Sequence, residues 1–172
     1  MATKGNLNSA AIDALVLALI VIFCGLISSL ASFLGWIMWI VQLVATVWML
    51  VRFMKRFSKK NAAENGSTTY GQAFTYGFLV SLCSAVVIAV YAYFDVKFIN
   101  AETISTAMEA ARQQMAGMGQ EEILDKVLDN LPFITLVGRL VWCTILGVVF
   151  SAIIANSCKI EGAAESTEDI IK

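Results

Sequence analysis

The stretch that decides the fold is ALVLALIVIFCGLISSLASFLGWIMWIVQLVATVWMLVRF, Ala14–Phe53, forty positions in which the first charge is Arg52. The hydrocarbon core of a bilayer is about 30 Å thick and a helix rises about 1.5 Å per residue, so one crossing takes about 20 apolar residues. A single helix over the whole stretch would be about 60 Å long, twice the membrane. The reading is therefore a hairpin of two spans, residues 14–33 and 35–53. Its turn is placed near Ser32–Gly35, where Gly frees the backbone and Ser bonds locally to it. Trp36 and Trp39 suit the interfacial, outer end of the second span.

The rest of the chain agrees. Of the 172 residues, 59% are hydrophobic and 15% charged, with a mean hydropathy of +0.76; a soluble domain is about 45–50% apolar and about 25% charged. Two further apolar runs give spans at residues 74–94, ended by Asp95, and 133–155, started just after Pro132, whose missing N–H costs nothing in a first turn. The expected fold is all-α: one polytopic membrane domain over residues 1–172, with four transmembrane helices in two hairpins. A cleaved signal peptide ending near Ser29-Leu30-Ala31 is disfavoured, because its apolar region would be too long and a second apolar run follows at once.

Net charge is -1, but the charges segregate. Residues 52–73 hold Arg52, Lys55, Arg56, Lys59 and Lys60 against Glu64, whereas residues 95–132 and the tail 156–172 are acidic. Basic loops stay on the cytoplasmic side. The Arg52–Lys60 loop and both termini are accordingly placed in the cytoplasm, and residues 96–132 outside. Beside a membrane, Arg52, Lys55, Arg56, Lys59 and Lys60 are candidate contacts for anionic lipid headgroups, at about 1 kcal/mol each; nucleic acid is not an expected partner. Asn61–Thr69 reads as a polar linker with a turn at Gly66. In the outer segment, Asn100 is expected to cap a helix from Ala101 that presents Ile104, Met108, Ala111 and Met115 on one face. A second short amphipathic helix fits Glu121–Leu131.

Chemistry is scarce. With no His, a His-based triad or metal site is excluded, and Cys24, Cys83, Cys143 and Cys158 show no CxxC spacing. No phosphate-binding loop or dinucleotide fingerprint occurs, and the adjacent Glu121 and Glu122 point apart on a helix. Neither an enzyme nor a bound cofactor or metal is expected. The candidate intramembrane charge is Arg139, about 10 Å inside the fourth span, with Asp95 at the end of the third as its candidate partner. Asp13 reads as a simple helix N-terminal acid. Gln42, Ser81, Ser84 and Thr144 are available for bonds between helices, and Gly77/Ser81/Ala85 and Gly147/Ser151/Ala155 form two small-residue ladders that suit close packing.

Tyr70-Gly71-Gln72-Ala73-Phe74, then Gly77-Phe78, the stretch Tyr91 to Phe98, Gly119-Gln120-Glu121-Glu122-Ile123 and the closing Gly147 to Asn156 together resemble the family named domain of unknown function 4199. The resemblance covers most of the chain, apart from the acidic tail after Lys159. It implies a small four-span membrane protein of the type found chiefly in Bacteroidota, hence a bacterial inner-membrane location, and no reaction. The expected role is a non-enzymatic accessory or scaffold subunit that holds a membrane protein partner or a second copy of itself. The alternative is a small oligomeric transporter or channel, which needs several polar residues converging on one axis.

Overall fold

The computed structural model describes residues 4–30, 35–115 and 121–160. Their regular structure is helical: α1 Lys4–Leu30, α2 Gly35–Asn65, α3 Tyr70–Phe94, α4 Ala101–Met115 and α5 Glu121–Ser157, with a π-helical turn Asp95–Ile99 between α3 and α4. Among the described residues, three segments are long and apolar enough to cross a membrane: Leu7–Ile27, Tyr70–Ile99 and Lys126–Ser157. Most of the turn placed at Ser32–Gly35 lies outside the described residues.

The helices run further than the apolar pattern suggests. α2 has 31 residues, about 46 Å at 1.5 Å each. It crosses the Arg52–Lys60 segment without a break, because no Pro or Gly follows Gly35 until Gly66 and Lys, Arg, Met and Ala are good helix formers. The basic segment is therefore a helix and not a loop. α2 ends at Gly66, which has a φ of 79° and donates its N–H to Ala62 O at 2.8 Å, as a left-handed helix terminator does. Residues 121–131 are likewise not a separate outer helix. They are the first turns of α5, and Pro132 lies inside that helix.

The chain divides into two compact units, Met1–Ala85 with Cys143–Lys172, and Val86–Trp142. In the first unit α1 packs along α2. A core of Ala10, Ala14, Leu17, Leu50, Phe53, Met54, Ala73, Tyr76, Val80, Ile154, Ala155 and Cys158 draws on α1, α2, α3 and α5. The two small-residue ladders face each other here, running antiparallel. A Cβ added to Gly77 would meet Ser151 Oγ at 2.9 Å and Met54 Sδ at 2.7 Å, and one added to Gly147 would strike Ser81 Cβ. Small residues at these points let the backbones of α3 and α5 approach.

In the second unit α4 packs against the π turn, closed by Asn100 N–H to Asp95 O at 2.8 Å. Ile104, Met108 and Ala111 are half-buried on α4, whose other described side chains are exposed. Asn100 O accepts the first bond of α4, from Ile104 N–H, but its side-chain nitrogen turns back to Asp95 Oδ1 at 2.9 Å.

Candidate functional site

The inward face of α1 reads Ala10, Asp13, Ala14, Leu17, Ala18, five buried positions at helical spacing. Asp13 is thus not a helix-start acid. It lies more than two turns inside α1 and is only 2% exposed. Burying a carboxylate is costly unless it is paired and hydrogen-bonded, and both oxygens of Asp13 are satisfied. Arg56 Nη2 of α2 donates to Oδ1 at 2.5 Å and Tyr76 Oη of α3 donates to Oδ2 at 2.6 Å. The Tyr76 ring stacks on Phe57 with centroids 4.1 Å apart and planes 7° from parallel. One buried acid therefore ties three helices together at the end of the bundle where the cations lie. The Arg56 side chain remains 64% exposed, so this ion pair has one foot in the core and one outside.

Along α2 the five cations Arg52, Lys55, Arg56, Lys59 and Lys60 recur at i, i+3, i+4, i+7 and i+8 and are all exposed, while Phe53, Met54, Ser58 and Asn61 on the other face are buried. Arg52 lies over the Trp48 ring at 5.5 Å and Arg56 over Phe53 at 5.7 Å. Lys60 pairs with Glu64 at 3.9 Å. The sequence-derived cation set is a single continuous stripe.

Beneath the stripe a polar cluster fixes the α2–α3 connection. Thr69 and Gln72 form a capping box: Gln72 N–H donates to Thr69 Oγ1 at 3.3 Å and Thr69 N–H to Gln72 Oε1 at 3.0 Å. Asn61 Nδ2 reaches Ser67 O, Thr68 Oγ1 and Gln72 Oε1 at 3.1–3.2 Å, and Thr68 Oγ1 donates to Ser58 O at 2.8 Å. The backbone of Thr68 also pairs in both directions with Ile160, at 2.9 and 3.0 Å, so the chain leaving α5 is pinned beside α2. Two residues earlier, burial pushes the Cys158 thiol up from its ordinary value, with Lys55 nearby pulling it the other way. The stretch read as a polar linker is the last turn of α2 followed, after the expected turn at Gly66, by a bonded joint.

Arg139 and Asp95 are placed apart in role. Arg139 is an exposed position of α5, and among the described residues no ion pair joins it to Asp95. The Asp95 carboxylate instead accepts from Asn100 Nδ2 and from Tyr91 Oη at 3.4 Å. Lys97 donates to Tyr93 Oη at 3.2 Å. The residues missed in the sequence are Asp13, Tyr76, Asn61 and Thr68. An acid inside a small-residue face of a membrane helix was the available signal for the first; the others carry none that spacing alone reveals. Among the described residues no group of three acids or cysteines is placed to hold a metal ion.

A search of curated proteins and a search of solved structures returned no match. The family model described as Protein of unknown function (DUF4199) matches residues 10–159. That match begins just before Asp13, ends one residue before Ile160 and takes in the whole Asp13–Arg56–Tyr76 joint and both ladders: the chain belongs to the DUF4199 family.

Proposed function

We propose that this is a four-span protein of the bacterial inner membrane. Its basic end and both termini lie in the cytoplasm, and it serves as a non-enzymatic accessory or scaffold subunit for a membrane partner. The fourth crossing is the apolar half of α2, residues 35–53. Its exposed side chains include Trp36, Ile37, Trp39, Ile40, Val41, Val44 and Trp48, an outward belt with aromatics toward both ends. The cationic half of α2 sits where cytoplasmic charge is retained, with the stripe against anionic headgroups.

The observation that carries the scaffold reading is where the polarity goes. Asp13, Arg56 and Tyr76, and separately Asn61, Thr68 and Gln72, bond to one another at one end of the helices. Deeper in, α3 and α5 meet through Gly77, Ser81, Gly147 and Ser151 at contact distance. This supports a tightly packed bundle that presents apolar faces, rather than a lined conduit. Purification in mild detergent followed by native mass spectrometry tests it. A companion protein in fixed stoichiometry, lost when Trp39 and Val44 are replaced by Ala, is the expected result. A symmetric homo-oligomer that conducts ions in vesicles would contradict it.

A further inference from the structure

The stripe of α2 has more cations than partners. Asp13 engages Arg56 and Glu64 engages Lys60, and among the described residues Arg52, Lys55 and Lys59 have no carboxylate in ion-pair contact. The chain itself holds the missing acids. Beyond Ile160 the sequence continues Glu161-Gly-Ala-Ala-Glu165-Ser-Thr-Glu168-Asp169-Ile-Ile-Lys172, four carboxylates against one Lys.

Where that segment departs from the described chain is fixed. Ile160 is bonded to Thr68, Thr68 is bonded to Ser58 O on α2, and Cys158 feels the charge of Lys55. The acidic segment therefore starts at the level of the stripe and on the same side of any membrane. The stripe is about 12 Å long from Arg52 to Lys60. Nine residues from Glu161 to Asp169 can extend about 30 Å, so reach is no obstacle. A tethered segment also acts at an effective concentration in the millimolar range.

We propose that the acidic segment, residues 161–172, docks in cis on the basic stripe of α2. Glu165, Glu168 and Asp169 meet Lys55 and Lys59 there and compete with anionic lipid headgroups for the same cations. The docking rests only on the geometry above; the competition also rests on the proposed lipid contact. It makes the stripe a regulated surface, held by its own chain in a neutral membrane and released when anionic lipid accumulates.

Zero-length carbodiimide coupling of the full-length protein in neutral detergent, read by peptide mass spectrometry, tests the docking. The expected result is amide links from Lys55 or Lys59 to Glu165, Glu168 or Asp169 in the band of monomer mass. These links fade as ionic strength rises to about 1 M, where the screening length is about 3 Å. No such links, or links found only at dimer mass, would overturn it. For the competition, retention of phosphatidylglycerol in nanodiscs is compared between the natural chain and a chain carrying Glu165→Gln, Glu168→Gln and Asp169→Asn. The neutralised segment should raise retention about five-fold; unchanged retention would remove the competition while leaving the cross-links to decide the docking. If Lys55→Gln with Lys59→Gln leaves phosphatidylglycerol retention unaltered, the lipid contact itself fails, and the cross-links still stand or fall alone.

Discussion

Arg56 donates to Asp13 across 43 positions of sequence, joining an exposed guanidinium on α2 to a carboxylate sealed inside α1. The pair is asymmetric, and so are the consequences of breaking it. Loss of Arg56 leaves a buried negative charge with Tyr76 as its donor. Loss of the Asp13 charge leaves an Arg that water can solvate.

Arg56→Leu should therefore destabilise the bundle more than Asp13→Asn. Removing one partner of a buried pair costs about 3–5 kcal/mol, and the exposure of Arg56 puts this case at the lower end. The double variant should recover part of the loss. Thermal denaturation in detergent ranks the three chains, and an Asp13→Asn chain less stable than Arg56→Leu would refute the asymmetry.

Gly147→Ala should be more damaging than Gly77→Ala. Its Cβ meets Ser81 Cβ, which is fixed to the α3 backbone, whereas a Cβ at Gly77 meets Met54, whose thioether can swing aside. Overpacking costs about 1–3 kcal/mol, with Gly77→Ala toward the lower figure. Gly138→Ala, which meets nothing within 4 Å, should be neutral or better. Adding Ser81→Gly should restore the Gly147→Ala chain, and failure to do so would move the contact elsewhere.

The Cys158 thiol should resist water-soluble maleimide. Burial disfavours the thiolate and raises the pKa, and the thiolate is the reacting species. At pH 7.5 the folded chain should react about ten-fold more slowly than the chain opened in SDS, the gap narrowing as pH rises. The folded state holds this proton more tightly than the unfolded one. The contribution is full below the ordinary thiol value of about 8.5 and is lost as pH climbs through the raised one. A folded chain that reacts at the unfolded rate would show the thiol to be open.

Arg139→Leu should leave the Asp95 joint intact, since Asp95 is held by Tyr91 and Asn100. Amide exchange of Asn100 and Ile104 reads this directly. Faster exchange in Arg139→Leu, by about ten-fold or more, would tie Arg139 to that joint after all.

The all-helical fold and three membrane-competent segments were legible because apolar runs of this length have few other uses. The ladders were legible too, since Gly and Ser four residues apart on a membrane helix have a packing consequence. The joint was not. Asp13 stands at the edge of a long apolar run, where an acid looks like a helix terminus, and only the tertiary meeting of α1, α2 and α3 shows it to be enclosed. The extent of α2 was hidden for a related reason: charge marks where the membrane ends, not where the helix does. Pro132 misled similarly, since a proline that suits a helix start is also tolerated inside a membrane helix.

The central claim is that α2 crosses the membrane and leaves its cationic end in the cytoplasm beside the start of α1. The direct measurement is modification of intact spheroplasts with an amine reagent that cannot cross lipid, read by peptide mass spectrometry. Lys97 should be modified, with Lys4 and Lys59 modified only after permeabilisation. Modification of Lys4 with Lys59 protected would show that α2 does not cross, and modification of Lys59 with Lys97 protected would invert the protein.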